Sequence, residues 1–124
     1  LVISDRYTDS RYAYQAAMLD GKVPDPLGWL RGIHDGWTIV PDRTFLLLVP
    51  VEKALERLPP GKGREHFEDG PFLGKVHRNY LALAEADPAR FVAVDALLPP
   101  EDIRRFVGEE IRRIARRPRS RRRG

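Results

Sequence analysis

Residues 1–7 read Leu-Val-Ile-Ser-Asp-Arg-Tyr, and this stretch decides the fold class. Its apolar beginning predicts a buried strand over residues 1–4, and the polar residues after it predict a turn into a helix. In α/β folds, ligands bind at the rim of the sheet, where strands open into helices. We therefore expect Asp5 and Arg6 at a binding site, where the planar Arg6 guanidinium grips two oxygens of a phosphate.

A helix is predicted directly after this stretch, over residues 8–19. Ser10, Arg11, Tyr14 and Gln15 recur along it at a spacing that puts them roughly on one face. Side chains on that face could reach a base and a sugar lying above the strand ends. The beginning of the chain therefore predicts a nucleotide site built from a turn and one helix.

Strands and helices alternate along the rest of the sequence. Residues 44–49 form a continuous apolar run that Pro50 ends, which is typical of a strand covered on both faces in a parallel sheet. Residues 91–94 predict the final strand. The helices predicted around these strands cover residues 27–34, 51–58, about 71–86 and the segment that begins at Pro99-Pro100.

Apolar residues at helical spacing mark the faces that these helices should bury. The stripe of the helix over 71–86 consists of Phe72, Val76, Tyr80 and Leu83, and that of the last helix consists of Ile103, Phe106, Val107, Ile111 and Ile114. Alternating strands and helices predict an α/β fold, as part of a doubly wound parallel sheet of which three strands can be counted. With 124 residues and 42% hydrophobic content, one core is expected.

The order and spacing of these residues resemble those of bacterial thymidylate kinases. Residues 5–15 read Asp-Arg-Tyr-x-x-Ser-x-x-Ala-Tyr-Gln, which is similar to that family's nucleoside-monophosphate signature. The resemblance covers residues 1 to about 111. Further matching segments are residues 29–30, 41–57, 72–80 and 90–96, together with Arg64.

The resemblance implies a P-loop nucleoside-monophosphate kinase that passes the γ-phosphoryl of ATP to dTMP and gives dTDP, with Mg²⁺ as the metal. Kinases of this type use a phosphate loop of the form G-x-x-x-x-G-K-[ST]. No such loop occurs in this sequence, and Gly61-Lys62-Gly63 follows two prolines with no strand before it. We therefore expect a carboxyl-terminal fragment, inactive alone, with a partial kinase domain over residues 1–111.

The resemblance also implies roles for individual residues, each with a structural alternative. Arg6 would clamp the acceptor phosphate, or form a salt bridge with Asp5. Asp5 would support a Mg²⁺-bound water, or only orient Arg6. Tyr14 would limit room at the sugar's 2′ position, or pack into the core, while Ser10 and Gln15 would contact the nucleotide. Arg64 would close a lid over the phosphates, or stay exposed to solvent.

Three features depart from the family pattern. Arg11 stands where relatives often carry a smaller polar residue that touches the thymine. Leu48 stands where they usually place an aspartate, and Leu97-Leu98 where polar residues are common near the adenine. These departures leave open the selectivity for the base and the handling of ATP.

The net charge of +4 comes from the end of the chain. Eight arginines and no acids follow Ile111, whereas the residues before them carry more acids than bases. The excess of acids in residues 1–111 argues against a nucleic-acid-binding surface there. We expect residues 112–124 to be the end of the last helix and a disordered basic tail. That tail would be a solvated end or a weak contact for polyanions through their phosphates.

The composition also bears on location and partners. The sequence contains no cysteine and no stretch of about eighteen apolar residues. We therefore expect a cytoplasmic protein with no membrane contact, and the resemblance implies a homodimer when full length. Two other functions stay open: another P-loop nucleoside or nucleotide kinase, and a non-catalytic remnant that serves as a binding module.

Overall fold

Two parallel strands form the sheet in the part of the chain that the structure describes, which is residues 1–57 and 70–116 of a computed structural model. Strand β1 spans Thr44–Leu48 and β2 spans Phe91–Asp95, with Thr44 opposite Phe91 and Leu48 opposite Asp95. The Ala96 amide extends the ladder by donating to the Leu48 carbonyl at 2.8 Å. The parallel pairing of two strands far apart in sequence is confirmed.

The same described residues also form five helices. They are α1 (Thr8–Leu19), α2 (Pro26–His34), α3 (Val51–Glu56), α4 (Gly70–Ala86) and α5 (Pro100–Ala115). Parallel strands need a long crossover between them, and α3 and α4 lie in that connection. Helix α2 begins with proline in its first turn, and the Asp25 carboxylate accepts a hydrogen bond from the Gly28 amide at 3.1 Å. These bounds confirm the alternating pattern read from the sequence.

The core lies where α1 and α4 pack against the inner side of the strands. Small residues on α1, Ala13 and Ala17, are buried and leave room for α4 to approach closely. The other buried members of this cluster are Leu46, Val76, Leu83 and Phe91. Val76 and Leu83 belong to the stripe predicted for α4, so that prediction is confirmed, and Phe72 and Tyr80 pack against the cluster while remaining partly exposed.

The strand predicted over residues 1–4 is wrong. These residues have no regular structure, and Leu1, Val2 and Ile3 are 74–93% exposed. A strand is held by hydrogen bonds to a neighbouring strand, and the described sheet pairs β1 only with β2. The apolar character of a short run predicts burial in a sheet, but it does not supply the partner.

The buried face predicted for α5 is also wrong in part. Phe106 is 40% exposed, while the buried residue of this helix is Glu110, whose carboxylate pairs with Arg113 at 2.8 Å. An apolar stripe becomes buried only where another element covers it. The other members of this stripe, Ile103, Val107, Ile111 and Ile114, are partly exposed, so the described residues cover this face only in part. Within residues 1–57 and 70–116, no helix combines the length and apolar content needed to cross a bilayer.

Candidate functional site

Arg6 has an unusual backbone at the entrance to α1. Its φ angle is +61°, in the left-handed region that residues with a side chain rarely adopt. The Ser4 hydroxyl donates to the Arg6 carbonyl at 2.9 Å and supports this turn. Such strain is concentrated at functional sites, because the surrounding structure must hold a residue in a costly conformation.

The Arg6 side chain lies above the ring of Tyr14. Its guanidinium carbon is 5.4 Å from the ring centroid, which is the geometry of a cation–π contact. Arg6 is exposed, so its charge remains available to a ligand, and the described residues show no ion pair between it and Asp5. The structural alternative for Arg6, a salt bridge with Asp5, is therefore not what the structure shows.

Ser10 and Tyr14 follow one another on α1, one helical turn apart. The Tyr80 hydroxyl on α4 donates to the Ser10 hydroxyl at 2.7 Å. Tyr14 packs against the core, and its ring centroid lies 6.2 Å from that of Phe72 on α4. Tyr14 is only half-buried, so it both contributes to the core, as its structural alternative predicts, and keeps ring surface on the side of Arg6.

Asp5, Arg11 and Gln15 are exposed. Arg11 and Gln15 lie one residue further along α1 than Ser10 and Tyr14, so they form a neighbouring line about 100° around the helix. Asp5 precedes the helix, near Arg6 in sequence. The structure thus places Ser10 and Tyr14 on one line of α1, with the Arg6 side chain over the Tyr14 ring and with Arg11 and Gln15 beside that line. Arg64 lies outside the described residues, and its predicted role at a lid stays a prediction.

A buried ion cluster fixes where α1 begins. The Arg90 guanidinium bonds both oxygens of Asp9 at 2.7 and 3.0 Å, and it also contacts Asp87 at 2.9 Å and the Thr44 hydroxyl at 2.7 Å. The side chains of Arg90 and Asp9 are 14% and 9% exposed. The hydrogen bond to Asp9 is the main cause of a raised pKa for Arg90, so the guanidinium stays charged.

This cluster places the start of α1 beside the amino ends of β1 and β2, because Thr44 opens β1 and Arg90 directly precedes β2. The sequence predicts Asp5 and Arg6 at the end of a strand, on the rim where ligands bind; the strand before them is not formed, and their place at the rim stays a prediction. Residues 1–4 do not join the sheet, so the contact between Asp9 and Arg90 decides where the helix starts. At the carboxyl ends of the strands lie Leu48 and Asp95.

Sequence reasoning missed two partners of the candidate site. Tyr80 was expected only as part of an apolar stripe, although a buried tyrosine usually finds a hydrogen-bond partner, which is the signal that points to its contact with Ser10. Asn79 donates to the Ala13 carbonyl of α1 at 2.9 Å. Asp9, an acid in the first turn of a helix, gives a weaker signal, since such acids are common there on exposed surfaces.

No metal-binding cluster is formed by the described residues, since no three His, Asp or Glu side chains among them converge. A shallow cavity of about 310 Å³ lies on α5, lined by Glu109, Arg112, Arg113 and Arg116. It includes none of the predicted site residues. Asp5, which directly precedes Arg6 in the sequence, is an exposed single carboxylate, and one carboxylate suits a contact with Mg²⁺ through water rather than a protein cage.

Comparison with known proteins gives the family. The sequence model of the family "Thymidylate kinase" matches residues 1–107. A protein of Methanoculleus marisnigri named "Probable thymidylate kinase" is 63% identical over 121 residues, which make up 98% of this chain and 59% of that protein. A protein of the same name from Methanospirillum hungatei is 55% identical over 112 residues, or 90% of this chain and 54% of that protein.

A third relative, from Methanocorpusculum labreanum and also named "Probable thymidylate kinase", is 51% identical over 116 residues, covering 94% of this chain and 59% of its own length. The chain thus spans a little over half the length of these relatives. The family match covers most of the chain and includes Arg6, Ser10 and Tyr14. The resemblance seen in the sequence is therefore confirmed, and the chain belongs to the thymidylate kinase family.

Proposed function

We propose that the protein containing this chain is a dTMP kinase that transfers the γ-phosphoryl group of ATP to dTMP and releases dTDP. The observation that carries the proposal is the family match over residues 1–107. The family has the P-loop nucleoside-monophosphate kinase fold, and the α/β unit described above, with its parallel sheet, is part of such a fold. We assign residues 1–111 to this partial domain.

Arg6 is the proposed clamp on the acceptor phosphate. A guanidinium can bond two phosphate oxygens at once, and its exposed position leaves its donors free to do so. The Tyr14 ring lies against the Arg6 guanidinium and limits the positions that this guanidinium can take. Phosphoryl transfer depends on alignment of the two nucleotides and on neutralising their charge, and an arginine held over the acceptor contributes to both.

The remaining residues of α1 are proposed to contact the nucleoside. Ser10 offers a hydroxyl one turn before Tyr14. Tyr14 offers an aromatic face and a limit at the 2′ position of the sugar, and Gln15 offers an amide to the base. Arg11 lies beside Gln15 and is exposed. Its long charged side chain is the feature that could shift preference from thymine to another base, so an acceptor other than dTMP is the second candidate.

ATP is the proposed phosphoryl donor, with Mg²⁺ bound to its phosphates. Asp5 would hold a water of that ion or steer Arg6, and Arg64 would add positive charge near the transferred group. The bound metal supplies charge neutralisation and a fixed geometry for the phosphates. We also propose a cytoplasmic location, a homodimer for the full-length protein and a weak contact of the arginine-rich end with polyanions.

An acceptor panel tests this proposal. The intact gene product is assayed with Mg·ATP and equal concentrations of dTMP, dUMP, dCMP and thymidine. The formation of ADP and of the acceptor with one added phosphoryl group is followed. We expect dTMP to give the highest kcat/KM. A higher kcat/KM for another acceptor would contradict dTMP as the substrate and favour the second candidate. Inactivity with all four acceptors would contradict a kinase function.

A further inference from the structure

Tyr80 and Ser10 are joined across the interface between α4 and α1. Their hydroxyl oxygens are 2.7 Å apart, although the residues are 70 positions apart in the sequence. One residue earlier on α4, Asn79 bonds the Ala13 carbonyl of α1 at 2.9 Å. Helix α4 therefore fixes α1 by directed hydrogen bonds as well as by apolar packing.

Ser10 belongs both to this contact between α4 and α1 and to the proposed acceptor site. It lies one helical turn before Tyr14 on α1, and the Arg6 side chain lies over the ring of that tyrosine. A serine hydroxyl can rotate, and it has one proton and two lone pairs. When Tyr80 donates to one lone pair, the proton of Ser10 is directed away from Tyr80 and can be given to a ligand.

The Tyr80 phenol is protonated, so it can donate the hydrogen bond to Ser10. Burial raises the pKa of the Tyr80 phenol above its ordinary value, which keeps the proton on the oxygen at neutral pH. The phenol therefore keeps the proton that it donates to Ser10. Packing of the ring against the core would be served equally well by phenylalanine, so the hydroxyl needs a separate explanation.

We propose that Tyr80 is a positioning residue of the acceptor site, which holds the Ser10 hydroxyl in the orientation that binds the nucleoside monophosphate. This rests on the proposed function, because it assumes that Arg6, Ser10 and Tyr14 bind the acceptor. Tyr80 itself acts through Ser10 and touches neither nucleotide. Its effect should be seen in acceptor binding rather than in the chemical step.

The test uses the intact gene product with four variants: Tyr80→Phe, Ser10→Ala, the double variant, and Tyr12→Phe as control. Tyr12 is on the other side of α1 against His34, so its variant also removes one phenol hydroxyl without touching the proposed site. Loss of one neutral hydrogen bond corresponds to about a threefold to tenfold weakening. We expect Tyr80→Phe to raise KM for dTMP by about this factor, with kcat and KM for ATP changed less than twofold.

The double variant separates positioning from general destabilisation. If Tyr80 acts through Ser10, Tyr80→Phe has no further effect on KM in the Ser10→Ala background. A KM for dTMP unchanged by Tyr80→Phe in an active wild-type protein, or effects that multiply in the double variant, would overturn the inference alone. A wild-type protein inactive with every nucleotide would overturn the proposed function and this inference with it.

If Tyr80→Phe does not fold, a second pair of variants tests the inference. Ser10→Thr keeps a hydroxyl that can accept from Tyr80, whereas Ser10→Ala removes it. The inference predicts a KM for dTMP near the wild-type value for Ser10→Thr and a raised value for Ser10→Ala. Equal values for the two variants would contradict it.

Discussion

The guanidinium of Arg90 holds the carboxylate of Asp9 by two hydrogen bonds, Nη1 to Oδ2 at 2.7 Å and Nη2 to Oδ1 at 3.0 Å. The two residues are 81 positions apart and both are largely buried. Asp9 is in the first turn of α1, and Arg90 directly precedes β2. This pair therefore decides where the helix that carries the candidate site meets the sheet.

Removing one partner of this pair should destabilise the protein. Arg90→Ala leaves the buried Asp9 carboxylate without its cation, and such a loss costs about 3 kcal/mol of the free energy of unfolding. Urea denaturation of the intact protein measures the change. Arg104→Ala is the matched control, because Arg104 pairs with Glu101 on the exposed surface of α5, and it should change stability little. Equal effects of the two variants would contradict the role given to the cluster.

The left-handed backbone at Arg6 predicts opposite effects of substitution on stability and function. Glycine adopts a φ of +61° without strain, so Arg6→Gly should be more stable to urea than Arg6→Ala by about 1 kcal/mol. Both variants lose the guanidinium and should lose dTMP turnover to the same degree. Arg6→Ala at least as stable as Arg6→Gly would mean that the strained turn is absent from the working protein.

The raised pKa of Tyr80 predicts a pH dependence of stability. A group with a higher pKa in the folded state stabilises the fold below its unfolded pKa, and this contribution disappears as the pH rises through the folded value. The stability advantage of the wild type over Tyr80→Phe should therefore be constant up to about pH 9 and shrink above about pH 10. Unfolding by urea at a series of pH values measures this difference, and a constant difference up to about pH 11 would contradict the burial of the phenol.

The 124-residue chain on its own should show no kinase activity. Its sequence contains no G-x-x-x-x-G-K-[ST] loop to hold the phosphates of ATP. The assay follows ADP formed from ATP and dTMP by the purified chain, with the intact gene product as the positive control. Turnover of dTMP by the isolated chain would show that another segment holds the donor.

Local patterns predicted the elements well. Helix α1 covers Thr8–Leu19, as the sequence indicates, and the apolar run before Pro50 forms β1. These features depend on residues close together in the chain, whose periodicity and turn residues can be read directly. The family resemblance added what periodicity could not, because it assigned chemistry to Arg6, Ser10 and Tyr14.

Distant partnerships could not be predicted in the same way. The contacts of Asp9 with Arg90 and of Ser10 with Tyr80 depend on which faces of α1, α4 and the sheet meet in space. The same limit explains the errors at residues 1–4 and at Phe106, where apolar residues are present but no element of the described part of the chain buries them. A residue is buried only when two elements pack together, whereas a sequence pattern describes one element at a time.

The most direct test of the account is the steady-state phosphorylation of dTMP by the intact protein and by its Arg6→Ala variant. Arg31→Ala is the control, because Arg31 is an exposed arginine on α2 outside the proposed site. Loss of a donor that stabilises the phosphates at transfer should lower kcat/KM for dTMP by about 100-fold, with Arg31→Ala unchanged. Equal kcat/KM values for Arg6→Ala and the wild type would contradict the central claim.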